Sequence, residues 1–300
     1  MDVITRFEKH LQMQDYSPVS IRGYRGDVCH FSYWYERHTA QEFSLDRIGV
    51  GDIQAYRQAM LANGLKPNTI NRRLAALAAF GGWAVQSGHL SQNPALHIRS
   101  LDSVSLAPKW LDKNQRAALI RTAKDDVELA RQRYPRLWLM RLRDATVVVI
   151  LLHTGLRVDE LCKLTLEGIQ VSTRKGQVTV TGKGFKQRTI PLSKGARVML
   201  AKWLKVRPIS GNDAVFINQR GDALKPRSVQ RSLHRLAESA GLQATVTPHI
   251  LRHTFAKSLI NEGVSLEKVA RLLGHSNLNT TRIYVTPSEQ DLEEAVGRLG

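Results

Sequence analysis

Residues 249–284 read HILRHTFAKSLINEGVSLEKVARLLGHSNLNTTRIY, and the assignment of the whole chain turns on them. His249 and Arg252 stand three apart, so a helix carries them on one face. His275 follows Gly274 where the apolar spacing predicts a helix end. Tyr284 comes nine residues after His275 and shortly before Pro287, which discourages a long helix there. Upstream, Arg157 lies in TGLRVDEL, directly after the apolar run VVVILL, and Lys183 lies in VTVTGKGFKQRTIPL. Taken singly, each of these residues has an ordinary explanation: a core tyrosine, a capping histidine, a solvated arginine or lysine. Taken together, two arginines, two histidines, a lysine and a tyrosine suffice to grip, attack and split a phosphodiester without a metal.

Composition agrees with a polyanionic partner. The chain has 300 residues, a formal net charge of +18 and 42% hydrophobic residues, enough for one large or two medium cores. Residues 1–100 carry 11 Lys/Arg against 8 Asp/Glu, and residues 101–300 carry 33 against 18. The positive excess therefore sits mainly in the half that holds the candidate site. Cys29 and Cys162 form no CxxC pair, which supports neither a disulfide framework nor a zinc site and fits a reducing cytoplasm. The opening MDVITRFEKHLQ is charged and amphipathic, unlike a signal peptide. The run ATVVVILL is too short to span a bilayer, so no membrane partner is expected. No P-loop lysine motif, HExxH or dense acidic cluster is present, and no cofactor is expected.

Four stretches, TGLRVDEL, GKGFKQRTIPL, HILRHTFA and LLGHSNLNTTRIY, resemble the signature boxes of the tyrosine recombinases, the integrase family of site-specific DNA recombinases. The resemblance covers about residues 109–287 and extends more weakly over the first hundred. It implies a mainly α chain that closes on DNA as a C-shaped clamp. Residues 1–98 would be a helical, SAM-like core-binding domain, 99–108 a linker, 109–287 a mixed α/β catalytic domain with a small antiparallel sheet, and 288–300 a tail helix. It also implies roles. Arg157, Arg252 and His275 would hold the non-bridging phosphate oxygens. His249 would assist the phenol, Lys183 would protonate the leaving 5′ oxygen, and Tyr284 would form a 3′-phosphotyrosine. Glu160, one turn beyond Arg157, could steady that guanidinium.

The periodicity predicts helices over residues 2–14, from Ser17-Pro18 onward, up to Asn63-Gly64, and from a cap near Asn68 or Thr69. By the resemblance, Lys66, Asn68, Thr69, Asn71, Arg72 and Arg73 become DNA-contact candidates in the first domain. In the second, Asp112 should cap a helix. The stretch DDVELARQRYPRLWLMRLRD is longer and more basic than the family's usual connection. Its Arg131, Arg133, Arg136, Arg141 and Arg143 fit either a DNA contact or a solvated face, and its role stays open. A buried helix should break at Thr154-Gly155 and a second should start near Arg157. GQVTVTGKGFKQRTIPL should form a hairpin, with Lys183 and Lys186 near its tip. NDAVFINQRG should hold a short strand. The following basic helix, with Arg227, Ser228, Gln230, Arg231 and Arg235, is the first choice for major-groove reading. The tail SEQDLEEAVGRLG fits packing on its own domain or on a neighbouring protomer.

The function implied is site-specific recombination through a Holliday junction. The partner is double-stranded DNA with inverted half-sites, bound by a homodimer and synapsed as a homotetramer, in the cytoplasm at a bacterial nucleoid. Accessory DNA-bending proteins remain an open partner class. A type IB topoisomerase-like relaxing enzyme and a catalytically inactive DNA-binding regulator are the rivals.

Overall fold

The computed structural model describes residues 2–102, 109–182, 187–243, 245–275, 277–285 and 296–297. Lys183, Lys186 and nearly all of the tail lie outside them. The chain divides into two compact units, Met1–Ser105 and Leu106–Gly300.

The first unit is built from four helices: α1 (Val3–Met13), α2 (Pro18–Thr39), α3 (Val50–Ala62) and α4 (Pro67–Gln86). Local chemistry sets their starts. Asp2 caps α1, and Ser17 caps α2 with Pro18 in the first helical position, where its missing N–H costs nothing. The Gly49 N–H donates to Asp52 Oδ2 at 2.8 Å and closes the start of α3. Helix α4 starts earlier than Asn68 or Thr69: Lys66 is its cap, because Pro67 already holds the helical φ. The four helices share an aromatic core. The Phe7 and Phe80 rings lie 5.2 Å apart and those of Phe31 and Tyr56 5.1 Å apart, both edge to face.

Polar groups pierce this core on one side. Asp27 is buried and pairs with Arg72, and Arg73 is drawn toward Asp27 and His30. His30 Nδ1 lies 2.7 Å from the Tyr56 hydroxyl. Asn71 exchanges two bonds with the Leu101 backbone, at 2.8 and 2.7 Å. Asn71 and Arg73 therefore have partners inside this unit. Lys66, Asn68 and Arg72 remain exposed, and Thr69 is half-buried.

The second unit forms around α6 (Pro135–Thr154), which touches α5 (Lys113–Arg133), α8 (Lys194–Val206), α9 (Pro226–Ser239) and α10 (Pro248–Asn261). Residues 142–152 of α6 are buried without interruption, so helices cover it on every side. Asp112 caps α5 in a capping box with Gln115. The short helix α7 (Val158–Cys162) follows α6. The strands β1 (Ile169–Val171), β2 (Gly176–Thr181) and β3 (Gln187–Pro191) form an antiparallel sheet in the order β1-β2-β3, with Val178 paired to both Ile169 and Ile190. Strand β1 occupies residues that the sequence placed in a helix after Arg157. NDAVFINQRG forms only isolated bridges, Thr165 to Ala214 and Ile217 to Ala223.

The long basic connection is a helical corner. Helix α5 runs to Arg133, and Pro135 starts α6 directly. Arg131, Arg133 and Arg136 are exposed. Arg143 is buried, donating to Asp144 Oδ1 at 2.6 Å and to the Ile217 carbonyl at 2.9 Å, and so is withdrawn from DNA. Arg141 and Arg235 converge on Asp126, at 3.7 and 2.9 Å. Arg235 therefore braces α9 against α5. Arg227, Gln230 and Arg231 stay exposed on α9, with Ser228 half-buried.

Candidate active site

Helix α10 supplies the centre. Thr247 caps it, Pro248 sits in its first turn, and Arg252 projects from its second turn into the interior. Arg252 is 3% exposed, yet among the described residues none of its hydrogen-bond partners is a carboxylate. It donates to the Gly155 carbonyl at 2.6 Å and to the Leu273 carbonyl at 2.8 Å, and lies 2.9 Å from His275 Nε2. Gly155 caps α6 and Leu273 ends α11 (Leu266–Leu273), so the cation lies where two helices present carbonyls. Burial, and then the charge of Arg157, pull the guanidinium down to about 10, and it remains charged at neutral pH.

A guanidinium can only donate, so His275 Nε2 must accept from Arg252. The imidazole proton then sits on Nδ1 and donates to Thr281 Oγ1 at 2.8 Å. Burial, followed by Arg252, lowers His275 to about 4, consistent with a neutral ring. Gly274 places this histidine: its φ of +68° is left-handed, and a Cβ there would lie 2.9 Å from Arg188 NH1.

Glu160 organises the outer cations. Its Oε2 accepts the Arg157 N–H at 2.8 Å, and its Oε1 lies 3.0 Å from Arg157 NH1. Arg188 of β3 grips the same carboxylate with two bonds, 2.8 and 2.7 Å, while its Nε donates to the Leu272 carbonyl at 3.0 Å. Burial alone would raise Glu160. The bonds from Arg188 and from the Arg157 backbone outweigh it and hold the carboxyl below its ordinary 4.5. Its contribution to stability is therefore complete above that value and is lost as pH falls through the lower folded value. Glu160→Gln should be less stable than the parent at pH 7, with the gap narrowing below about pH 4.5. Melting temperatures of both proteins along a pH series check this, and a constant gap would refute it.

Tyr284 follows the short helix α12 (Asn279–Arg282) and is 1% exposed, packed among Phe255, Ala256, Val269 and Leu273. Its hydroxyl lies 2.8 Å from His253 Nδ1. Burial raises the phenol above its usual 10, and the positive charges of Arg252 and Arg157 partly oppose the rise. Those two charges act on the phenol within one unit of one chain. His249 is exposed and stacks on His253, with ring centroids 5.7 Å apart.

Arg157, Glu160, Arg252, His275 and Tyr284 are thus brought to one locality, with His249 at its edge. Two participants escaped the sequence reading, Arg188 and His253. Arg188 shares the inward phase of β3 with buried Ile190, and a cation on the core side of a strand is the signal that could have found it. His253 lies one helical turn beyond His249, on the same face.

Both units resemble known proteins. The profile described as "Phage integrase family" matches residues 109–291, and "Phage integrase, N-terminal SAM-like domain" matches residues 4–88. A protein of Alcanivorax borkumensis called tyrosine recombinase XerC is 32% identical, over 98% of this chain and 92% of its own length. One of the same name from Corynebacterium efficiens is 34% identical, over 93% and 84%. Among solved structures, XerH site-specific recombinase in a post-cleavage complex with palindromic difH substrate has the same fold, with a TM-score of 0.76 and 23% identity over 98% of this chain and 84% of that one.

Proposed function

From the premise that this chain belongs to the phage integrase family, we propose that it is a site-specific tyrosine recombinase that cuts and rejoins double-stranded DNA through Tyr284. The observation that carries this is Arg252, a buried cation whose acceptors among the described residues are backbone carbonyls and an imidazole, and whose charge acts on the Tyr284 phenol. These acceptors are neutral, and a phosphodiester supplies a full negative charge.

In the reaction, Arg157 and Arg252 bind the non-bridging oxygens and stabilise the charge that grows on them. Glu160 and Arg188 fix Arg157 from behind. His275 donates to the same oxygens once its Nε2 leaves Arg252 and carries the ring proton in place of Nδ1. The Tyr284 oxygen bonds to phosphorus and the bond to the 5′ oxygen breaks. Lys183 delivers the proton that oxygen needs, a role carried from the family resemblance. A 5′ hydroxyl from a second duplex then attacks the 3′-phosphotyrosine and restores the phenol, through a Holliday junction. Lys66, Asn68 and Arg72 in the first unit, with Arg227, Gln230 and Arg231 on α9, are the exposed groups suited to phosphates and base edges. The protein acts as a dimer on one site of inverted half-sites and as a tetramer in the synapse.

Footprinting on DNA flanking the gene should find an imperfect inverted repeat. Plasmids carrying two copies should yield recombinants with the purified protein. Relaxation of plasmids with no such repeat, without recombinants, would replace this reading with a topoisomerase.

A further inference from the structure

The family resemblance assigns help at the phenol to His249, yet the side chain that touches the phenol is His253. We propose that His253 is a catalytic residue of this chain, taking the phenolic proton of Tyr284 as the tyrosine oxygen attacks phosphorus. The inference rests on the reading of Tyr284 as the nucleophile and goes beyond it by naming the base.

Three observations carry it. His253 Nδ1 and the Tyr284 oxygen are 2.8 Å apart, hydrogen-bond distance with no intermediary. The Tyr284 ring is clamped among Phe255, Ala256, Val269 and Leu273, so the contact is built by packing and not by a loose side chain. His249 stacks on His253, with an interplanar angle of 18°, and buttresses the ring that makes the contact.

The electrostatics suit an acceptor. Burial, followed by His249 and Arg252, lowers His253 to about 4, so the ring is neutral near pH 7 and has a lone pair to offer. The charged and titratable groups around it are His249 and Arg252 on α10, Tyr284 after α12, and His275 after α11. In the empty site the proton stays on the phenol, which burial makes a weaker acid still. A seated phosphodiester anion offsets the arginine field that depresses the imidazole. The oxygen also becomes more acidic as it commits its electron pair to phosphorus. The O–H bond then breaks and the proton passes to Nδ1. The new O–P bond forms as the P–O5′ bond breaks, and the 5′ oxygen takes its proton from the acid on the leaving side. Religation runs the same steps backward, and the imidazolium returns its proton to the phenolate.

The experiment uses the full chain and a nicked duplex containing its recombination site, with covalent adduct followed in a single turnover. His253→Phe keeps an aromatic ring and removes the acceptor; His253→Gln keeps a hydrogen-bonding group and removes the base. Both should bind the duplex like the parent and cleave about 10²-fold more slowly, with the deficit shrinking as pH rises and solvent takes over as base. A substrate with sulfur in place of the bridging 5′ oxygen has a leaving group that needs no proton, and it should not rescue either variant. Wild-type cleavage of that substrate should slow as falling pH protonates His253, a measurement that requires no variant to fold. Parental rates in the variants, rescue by sulfur, or a flat wild-type profile would each overturn the assignment to His253. Absence of any adduct with the wild-type chain would instead refute the recombinase reading itself.

Discussion

Tyr284→Phe should form no covalent adduct on a nicked duplex, with strand cleavage falling on the order of 10⁵-fold or more, below detection. The change removes one oxygen and leaves the ring among Phe255, Ala256, Val269 and Leu273. Folding and DNA affinity should therefore barely move, since affinity comes mainly from phosphate contacts spread over the duplex. The phenol does lose its bond to His253, a loss of about 1 kcal/mol in stability. An electrophoretic assay for protein resisting detergent on labelled DNA reads the chemistry, and a parallel mobility shift reads binding. An adduct at the parental level would move the nucleophile elsewhere.

Arg252→Lys should be nearly as severe. Charge is conserved, but one ammonium cannot reproduce a planar fork that reaches the Gly155 carbonyl, the Leu273 carbonyl and His275 at once. At least one buried carbonyl loses its partner, and the cation no longer presents a fixed edge to the phosphate. Single-turnover cleavage should fall about 10²- to 10³-fold. Binding should weaken far less, because many other cations hold the duplex. Cleavage within about threefold of the parent would show that the fork geometry is dispensable.

Much of the architecture was legible because local signals were strong. Ser17-Pro18, Asp112 with Gln115 and the Thr154-Gly155 break each mark a helix end by its own chemistry. The uninterrupted apolar stretch of α6 could only be the centre of a helical unit. Less visible were groups whose partners lie far along the chain. Arg143 and Arg235 read as surface cations until the Ile217 carbonyl and Asp126 come into view. Asn71 looked like a base reader, and its partner is a backbone thirty positions away. Arrangement of the site obeyed the same rule. The spacing of HILRH placed His249 and Arg252 on α10, but only the tertiary structure shows which histidine meets the phenol. Arg188 and Glu160 meet across 28 positions, and no spacing rule reaches that far.

The setting of Arg252 has one more consequence. The two carbonyls that hold it belong to the ends of α6 and α11, where each helix is electrically negative. Together they act as a partial counter-charge that holds the guanidinium in place before DNA arrives. Lengthening or shortening either helix by a residue would then alter chemistry at a distance, by detuning that reservoir of negative charge while leaving every reactive side chain in the sequence unchanged.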